Sequence, residues 1–98
     1  MKVDIYGLSK YFENRIRLGI MSILIVNDSY DFNSLKSALG VTDGNLASHL
    51  RSLEENELIK VNKKFIGKKP NTSYSATVKG EKLFRNHLKA LEEIIRKQ

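Results

Sequence analysis

A helix stop and a helix start stand two residues apart near the middle of the chain, and they restrict the fold more than any other feature. An apolar pattern at helical spacing runs through residues 35–39 and ends at Gly40, a residue that readily takes the left-handed conformation found at many helix ends. Thr42 can cap a new helix through its hydroxyl, and Asp43 in the first turn is favoured by the helix dipole. The sequence therefore predicts two helices joined by a tight turn.

The most apolar part of the chain, residues 16–26, predicts a preceding helix that is buried on nearly all sides. Its apolar stripe already begins at Leu8 and Phe12. The stretch is shorter than the roughly 20 apolar residues that cross a bilayer, and Asn27 and Asp28 follow where a signal peptide would have small residues. We therefore expect no membrane segment and a cytoplasmic protein, which the absence of cysteine also fits.

Two alternating stretches predict a β-hairpin in the second half of the chain. Apolar residues alternate from Ile59 onward and again from Tyr74 to Val78, and the loop between them holds Gly67 and Pro70. Because Pro70 cannot donate a backbone hydrogen bond, it fits the loop better than a paired strand. We therefore expect a hairpin with a long tip.

A closing helix, residues 80–97, is predicted from a wide apolar face that follows the capping residue Thr77. With a short extended piece at 30–32, the order is helix, helix, helix, strand, strand, helix. We predict a mainly α fold with a small β-hairpin, a winged helix-turn-helix with a three-helix core, a two-stranded wing and a C-terminal dimerisation helix. The 98 residues show no repeat or linker, so we expect one domain over 1–98.

Six lysines and no carboxylates lie within residues 58–80, and these six equal the net charge of +6 on the whole chain. A helix followed by a hairpin with concentrated positive charge has the electrostatic pattern of a surface that binds DNA. Phosphate or minor-groove contacts are expected from Lys63, Lys64, Lys68 and Lys69. A surface patch that serves only solubility is the alternative interpretation.

The outer face of the predicted third helix, residues 42–56, is small and able to form hydrogen bonds. An asparagine at position 45 can pair with adenine, and an arginine at position 51 can reach guanine or phosphate. The alternative is that this face is only solvated and binds no partner. For His49, a packed structural role fits as well as a contact with DNA. The predicted DNA-binding residues of this helix are Thr42, Asp43, Gly44, Asn45, Ser48, His49, Arg51 and Ser52.

Several strings resemble small one-domain winged-helix transcriptional regulators of the MarR-like and ArsR-like type: Arg17-Leu18-Gly19-Ile20-Met21, Thr42-Asp43-Gly44-Asn45-Leu46-Ala47-Ser48-His49-Leu50 and Lys63-Lys64-Phe65-Ile66-Gly67-Lys68-Lys69-Pro70. The resemblance covers residues 8–95 and implies DNA binding. The chain departs from the helix-turn-helix pattern at Lys36, where a small residue is expected. It also lacks the cysteine ligands of ArsR-like metal sensors, so we expect no metal and no cofactor, and no effector is indicated.

The apolar face of the closing helix also predicts a two-fold homodimer. Its residues recur at four, three and four positions, which is the seam of two packed helices. A dimer would place two recognition helices about 34 Å apart on successive major grooves. Packing within one chain is the alternative. The predicted interface residues are Ile5, Leu8, Tyr11, Phe84, Leu88, Leu91 and Ile95.

These patterns favour a sequence-specific regulator of transcription that binds double-stranded DNA as a homodimer. Helix 42–56 would enter the major groove, and the basic wing, residues 60–72, would contact phosphates or the minor groove. The alternatives are a winged-helix protein-interaction module and a nonspecific architectural DNA-binding protein. An enzyme is not expected, because the carboxylates are scattered and the sequence has no glycine-rich phosphate loop.

Overall fold

The computed structural model describes residues 2–98 and has the predicted winged helix-turn-helix fold. Its three strands form one antiparallel sheet, in which the last strand of the chain lies between the first two. After a 3₁₀ turn at Lys10–Phe12, the elements are α1 (Arg15–Leu24), β1 (Tyr30–Asp31), α2 (Phe32–Leu39), α3 (Asp43–Glu55), β2 (Ile59–Ile66), β3 (Lys69–Ala76) and α4 (Val78–Arg96). The predicted short extended piece at 30–32 is thus a strand of two residues that adds a third strand to the hairpin.

The core lies where α1 and α3 meet the base of the sheet. Its fully buried side chains are Ile20, Met21, Leu35, Leu46, Leu53 and Leu58. On α3 the buried leucines Leu46, Leu50 and Leu53 are four and three residues apart, so they share one face of the helix. Each fully buried leucine stabilises the fold by about 1.5–3 kcal/mol. This burial fixes the rotation of α3 and turns its polar face outward.

The tight turn between α2 and α3 forms as predicted. Gly40 has φ 63° and ψ 41°, the left-handed conformation, and its N–H donates to the carbonyl oxygen of Lys36 at 2.9 Å. Thr42 begins the next helix, since its Oγ1 accepts a hydrogen bond from the N–H of Asn45 at 3.2 Å. The predicted stop and start are therefore both confirmed, and they set the angle at which α3 leaves the core.

The first helix is shorter and less buried than the sequence predicts. Asn14 caps it, because its Oδ1 accepts from the N–H groups of Ile16 at 2.9 Å and Arg17 at 3.1 Å. The apolar stripe that begins at Leu8 is therefore interrupted, and part of it lies in the separate 3₁₀ turn. The helix ends at Leu24, so Val26 is exposed. Its fully packed face consists only of Ile20, Met21 and Leu24.

The hairpin tip is short, which corrects the prediction of a long loop. Ile66 pairs with Lys69, so only Gly67 and Lys68 form the turn. Gly67 has φ 65° at the first central position, where a type II′ turn takes glycine. Pro70 lies in β3 and not in the loop. It is tolerated there because β1 pairs only with residues 73–74, which leaves the outer edge of β3 free beside the proline.

The closing helix begins at Val78, which the alternation had assigned to a strand. Thr77 caps it as predicted, with Oγ1 accepting from the N–H of Gly80 at 2.9 Å and donating to the carbonyl oxygen of Glu57 at 2.7 Å. The bond to Glu57 ties the turn after α3 to the start of α4. No helix in the described part of the chain is long and apolar enough to cross a membrane.

Candidate nucleic-acid interface

The outward face of α3 is polar over its whole length. Most of the predicted residues on it are exposed, whereas His49 and Ser52 are half-buried. Residues three and four positions apart share a helix face, so the predicted set forms one continuous surface. Apart from its chain neighbours and the backbone of its own helix, no described atom lies within 4 Å of the place where a Cβ of Gly44 would stand. The exposed members are Thr42, Asp43, Gly44, Asn45, Ser48 and Arg51.

Two of these side chains also have partners within the fold. The hydroxyl of Thr42 caps α3, and Oδ1 of Asp43 lies 2.7 Å from Nζ of Lys36. The lysine stands where the helix-turn-helix pattern has a small residue, and its side chain reaches past the turn to this carboxylate. The pair is exposed, so it stabilises the fold by no more than about 1 kcal/mol. The main effect of the pair is electrostatic and local, because Lys36 neutralises the negative charge of Asp43 at the start of α3.

His49 is held from behind by an arginine of α1. Nη1 of Arg17 lies 3.1 Å from Nδ1 of His49, and Nε of Arg17 donates to the carbonyl oxygen of Tyr11 at 2.7 Å. A guanidinium can only donate, so Nδ1 is the acceptor and the imidazole proton is on Nε2. Burial, and to a smaller degree the positive charge of Arg17, lower the pKa of His49. The histidine is therefore neutral and has an N–H group on the side of the ring away from Arg17.

Arg17 was not among the predicted site residues. The sequence offered only a weak signal: Arg17 interrupts the apolar stretch 16–26, and Arg15 lies just before it. Sequence spacing could not show that one of them pairs with a histidine 32 positions away. Only the packing of α1 against α3 brings the two together.

The predicted wing lysines are all exposed, but they do not form one flat surface. Lys63 and Lys64 are neighbours in β2, so their side chains point to opposite faces of the hairpin. Lys68 lies in the turn, and Lys69 begins β3. Lys69 pairs with Ile66 and therefore shares the face of Lys64. The positive charge surrounds the wing instead of covering one side.

The predicted dimer residues differ widely in their exposure. Leu88, Leu91 and Ile95 are 42%, 43% and 66% exposed and follow one another on α4 at spacings of three and four, with Ile5 also exposed. Leu8 and Tyr11 are half-buried, whereas Phe84 is only 3% exposed. The ring of Phe84 packs edge-on against Phe12, with centroids 5.2 Å apart. Phe84 is thus a core residue of its own chain, which corrects its assignment to the seam.

The second histidine, His87, has a structural role inside the chain. Its Nδ1 accepts a hydrogen bond from the backbone N–H of Ser9 at 3.0 Å, and its ring stands 5.4 Å from that of Phe12. These contacts attach the N-terminal segment to α4. Across residues 2–98, no three His, Asp or Glu side chains lie close enough together to hold a metal ion.

Comparisons with known proteins agree with this geometry. The family model of the winged helix DNA-binding domain matches residues 16–95. An uncharacterized protein of Methanocaldococcus jannaschii is 35% identical over 79 residues, which is 81% of this chain and 86% of that protein. The structure of a transcriptional regulator homologue from Pyrococcus horikoshii OT3 is also 35% identical, with a TM-score of 0.82 over 90% of this chain and 87% of the other. The YusO protein of Bacillus subtilis, 16% identical, shares the fold with a TM-score of 0.82 over 95% of this chain and 65% of its own.

Proposed function

Because this chain belongs to the family of winged helix DNA-binding domains, we propose that it is a transcriptional regulator that recognises a specific sequence of double-stranded DNA as a homodimer. In this proposal α3 enters the major groove, and the wing, residues 60–72, contacts phosphates or the minor groove. One observation gives this proposal its main support: the slim polar face of α3 lies beside the wing, a basic hairpin that has no acidic residue. A cytoplasmic location is part of the proposal.

The chemistry of α3 suits direct reading of bases. The major groove is about 12 Å wide and admits one helix, whose side chains must donate to or accept from base edges. Asn45 can bond adenine through both its amide groups, and Arg51 can donate to guanine or to a phosphate. Gly44 adds no side chain at the start of the helix, where the groove is approached most closely. Since the leucine face is buried, this polar face is the one available to a partner.

The wing suits binding of the backbone. Its lysines are long cationic side chains on an extended hairpin, and phosphate contacts of this kind position a protein without reading bases. They also make affinity strongly dependent on salt. A protein-interaction module that binds through α3 is less well supported, because such surfaces usually carry aromatic or aliphatic anchors, and the exposed residues of α3 include none. The exposed residues of α3 between its caps are Asp43, Gly44, Asn45, Ser48, Arg51, Glu54 and Glu55.

The homodimer is supported by an apolar strip on α4 that remains partly exposed among the described residues, 2–98. Leu88, Leu91 and Ile95 form this strip, and Ile5 offers further apolar surface on the N-terminal segment. A second copy related by a two-fold axis would bury the strip against itself. It would also place two copies of α3 on one face of the DNA, about 34 Å apart. The preferred site would then be an inverted repeat.

Selection of bound duplexes from a random pool at physiological salt tests the proposal. We expect enrichment of an inverted repeat. Asn45→Ala should weaken binding to that repeat by about 1–3 kcal/mol and relax the preference at one adenine in each half-site. Lys89→Ala, an exposed change on α4, is the matched control and should bind like the unchanged protein. Salt-dependent binding without enrichment would indicate an architectural protein, and the absence of duplex binding would contradict DNA recognition altogether.

A further inference from the structure

The tip of the wing has two large apolar side chains that the contacts proposed above do not use. Phe65 is 72% exposed and Ile66 is 61% exposed, and the two immediately precede the Gly67-Lys68 turn. Single exposed apolar residues are common on protein surfaces. Two adjacent exposed apolar residues at the end of a strongly basic hairpin are a more specific arrangement. The lysines alone would keep this surface soluble, so solubility does not explain the apolar pair.

Strand register determines what each apolar residue has beside it. Phe65 lies opposite Pro70, so the phenyl and pyrrolidine rings share one face of the hairpin. Ile66 lies opposite Lys69 on the other face. Apart from its two chain neighbours, no described atom lies within 4 Å of the place where a Cβ of Gly67 would stand, so the turn itself is slim and open. The wing therefore ends in a narrow tip with an apolar patch of Phe65 and Pro70 on one side.

The positive charge around the tip of the wing favours a negatively charged partner. The lysines at 63, 64, 68 and 69 are exposed on both faces and in the turn, and no carboxylate lies within residues 58–80. Such a tip repels a second copy of itself and attracts a polyanion. The minor groove of DNA is a slot about 6 Å wide between two phosphate backbones. Lysines on opposite faces of the hairpin can reach one backbone each, while the tip points to the stacked bases between them.

We propose that Phe65 is a wedge that enters the minor groove and partly unstacks one base step of the bound duplex. Apolar side chains inserted in this way bend DNA toward the major groove, and the unstacking is offset by the additional contacts that the bend allows. Pro70 supports the ring from the neighbouring strand, and the wing lysines hold the two backbones. The inference rests on the proposed function, because it requires that the chain bind duplex DNA.

The wedge adds sequence preference at a position where no hydrogen bond reads a base. Pyrimidine–purine steps such as TA and CA/TG are the most easily kinked and unstacked. A duplex with one of these steps under the wing should therefore bind more tightly than one with a stiff step. This preference depends on Phe65 and is separate from the bases read by α3.

The test uses the full chain and the duplex obtained by the selection described above, with a dye at each end and 2-aminopurine at the base step under the wing. We compare the unchanged protein, Phe65→Ala and, as the matched control, Ile66→Ala on the opposite face. The unchanged protein and the control should bend the duplex and raise 2-aminopurine fluorescence. Phe65→Ala should lose both signals, bind roughly tenfold more weakly and no longer distinguish a TA step from a stiff step. Equal thermal unfolding of the three proteins shows that each is folded.

The outcomes separate the two proposals. If Phe65→Ala bends and unstacks the duplex as well as the unchanged protein does, the wedge is overturned, the regulator stands, and the tip becomes a site for an acidic protein surface. If both variants lose the signals equally, the assignment to Phe65 is overturned as well. If the unchanged protein binds no duplex in the selection, the proposed function itself fails before the wedge is tested.

Discussion

Nη1 of Arg17 on α1 donates a hydrogen bond to Nδ1 of His49 on α3 across 3.1 Å. Arg17 is itself held by Tyr11, whose carbonyl oxygen accepts from Nε at 2.7 Å. The bond links the core helix to the helix proposed to read DNA, and it fixes which ring nitrogen of His49 has the proton. The imidazole N–H away from Arg17 is left to donate, so the protein supplies a neutral donor instead of a cation at this point of α3.

Removing Arg17 should destabilise the fold more than removing its neighbour in the same helix. Arg17→Ala deletes two hydrogen bonds of a half-buried guanidinium, and we expect a loss of about 1–3 kcal/mol in the free energy of unfolding. Arg15→Ala is the matched control, because Arg15 is exposed on the same turn of α1, and it should change this free energy by less than about 0.5 kcal/mol. Urea denaturation measures both, and equal losses would contradict the structural role of the pair.

The pH dependence of stability should contain a contribution from His49. Its pKa in the folded protein lies below the ordinary 6.5 because of burial and Arg17. The unfolded chain therefore binds more protons in this range, so the free energy of unfolding rises with increasing pH and falls with decreasing pH. The contribution of the neutral histidine is complete above pH 6.5 and is lost as the pH falls through the lowered folded value.

His49→Gln isolates this contribution, since glutamine retains polar groups but does not titrate. Urea denaturation of the two proteins across a pH series gives the measurement. We expect the difference in free energy of unfolding to change in favour of the glutamine variant as the pH falls below 6.5. A difference that is independent of pH would show that His49 titrates alike in the folded and unfolded states.

Charge removal from the wing should weaken the salt dependence of DNA binding. If Lys63, Lys64, Lys68 and Lys69 each neutralise one phosphate, replacing all four by alanine should reduce the slope of log K against log salt by about 3.6. The preference among DNA sequences should remain, because phosphate contacts do not read bases. Fluorescence anisotropy at a series of salt concentrations measures the slope.

A control for the wing variant removes two exposed lysines elsewhere on the surface. Lys82→Ala with Lys89→Ala changes two exposed cations of α4, away from the proposed interface, and should leave the salt slope unchanged. Equal slopes for the wing variant and the unchanged protein would contradict the wing assignment.

A charge placed in the apolar strip of α4 should separate the proposed dimer. Leu91→Glu puts a carboxylate into the middle of the strip, and we expect the dimer dissociation constant to rise by about tenfold or more. Lys89→Glu introduces the same side chain at an exposed position two residues away and serves as the control. Sedimentation equilibrium at micromolar concentration gives the masses. A monomer for the unchanged protein would contradict the homodimer.

Local features were predicted well because each depends on residues only a few positions apart. Gly40 ends α2 and Thr42 begins α3 as expected, and Thr77 caps α4. The wing was predicted with a tip that is too long, because Pro70 was assigned to the loop and not to a strand. The free outer edge of β3 removes the usual objection to proline in a strand, and that edge depends on how short β1 is. Which residues of α3 and the wing bind DNA stays a prediction.

The sequence by itself determined the order of helices and strands, the turn before α3 and the concentration of charge in the wing, because capping, periodicity and charge are properties of neighbouring residues. Only the tertiary structure decided which side chains remain available to a partner. Phe84 and Leu88 are one helical turn apart and equally apolar, yet Phe12 covers the first, and the second is exposed. Burial depends on what packs against a residue from a distant part of the chain. The contact between Arg17 and His49 likewise depends on the packing of two helices whose residues are far apart in the sequence.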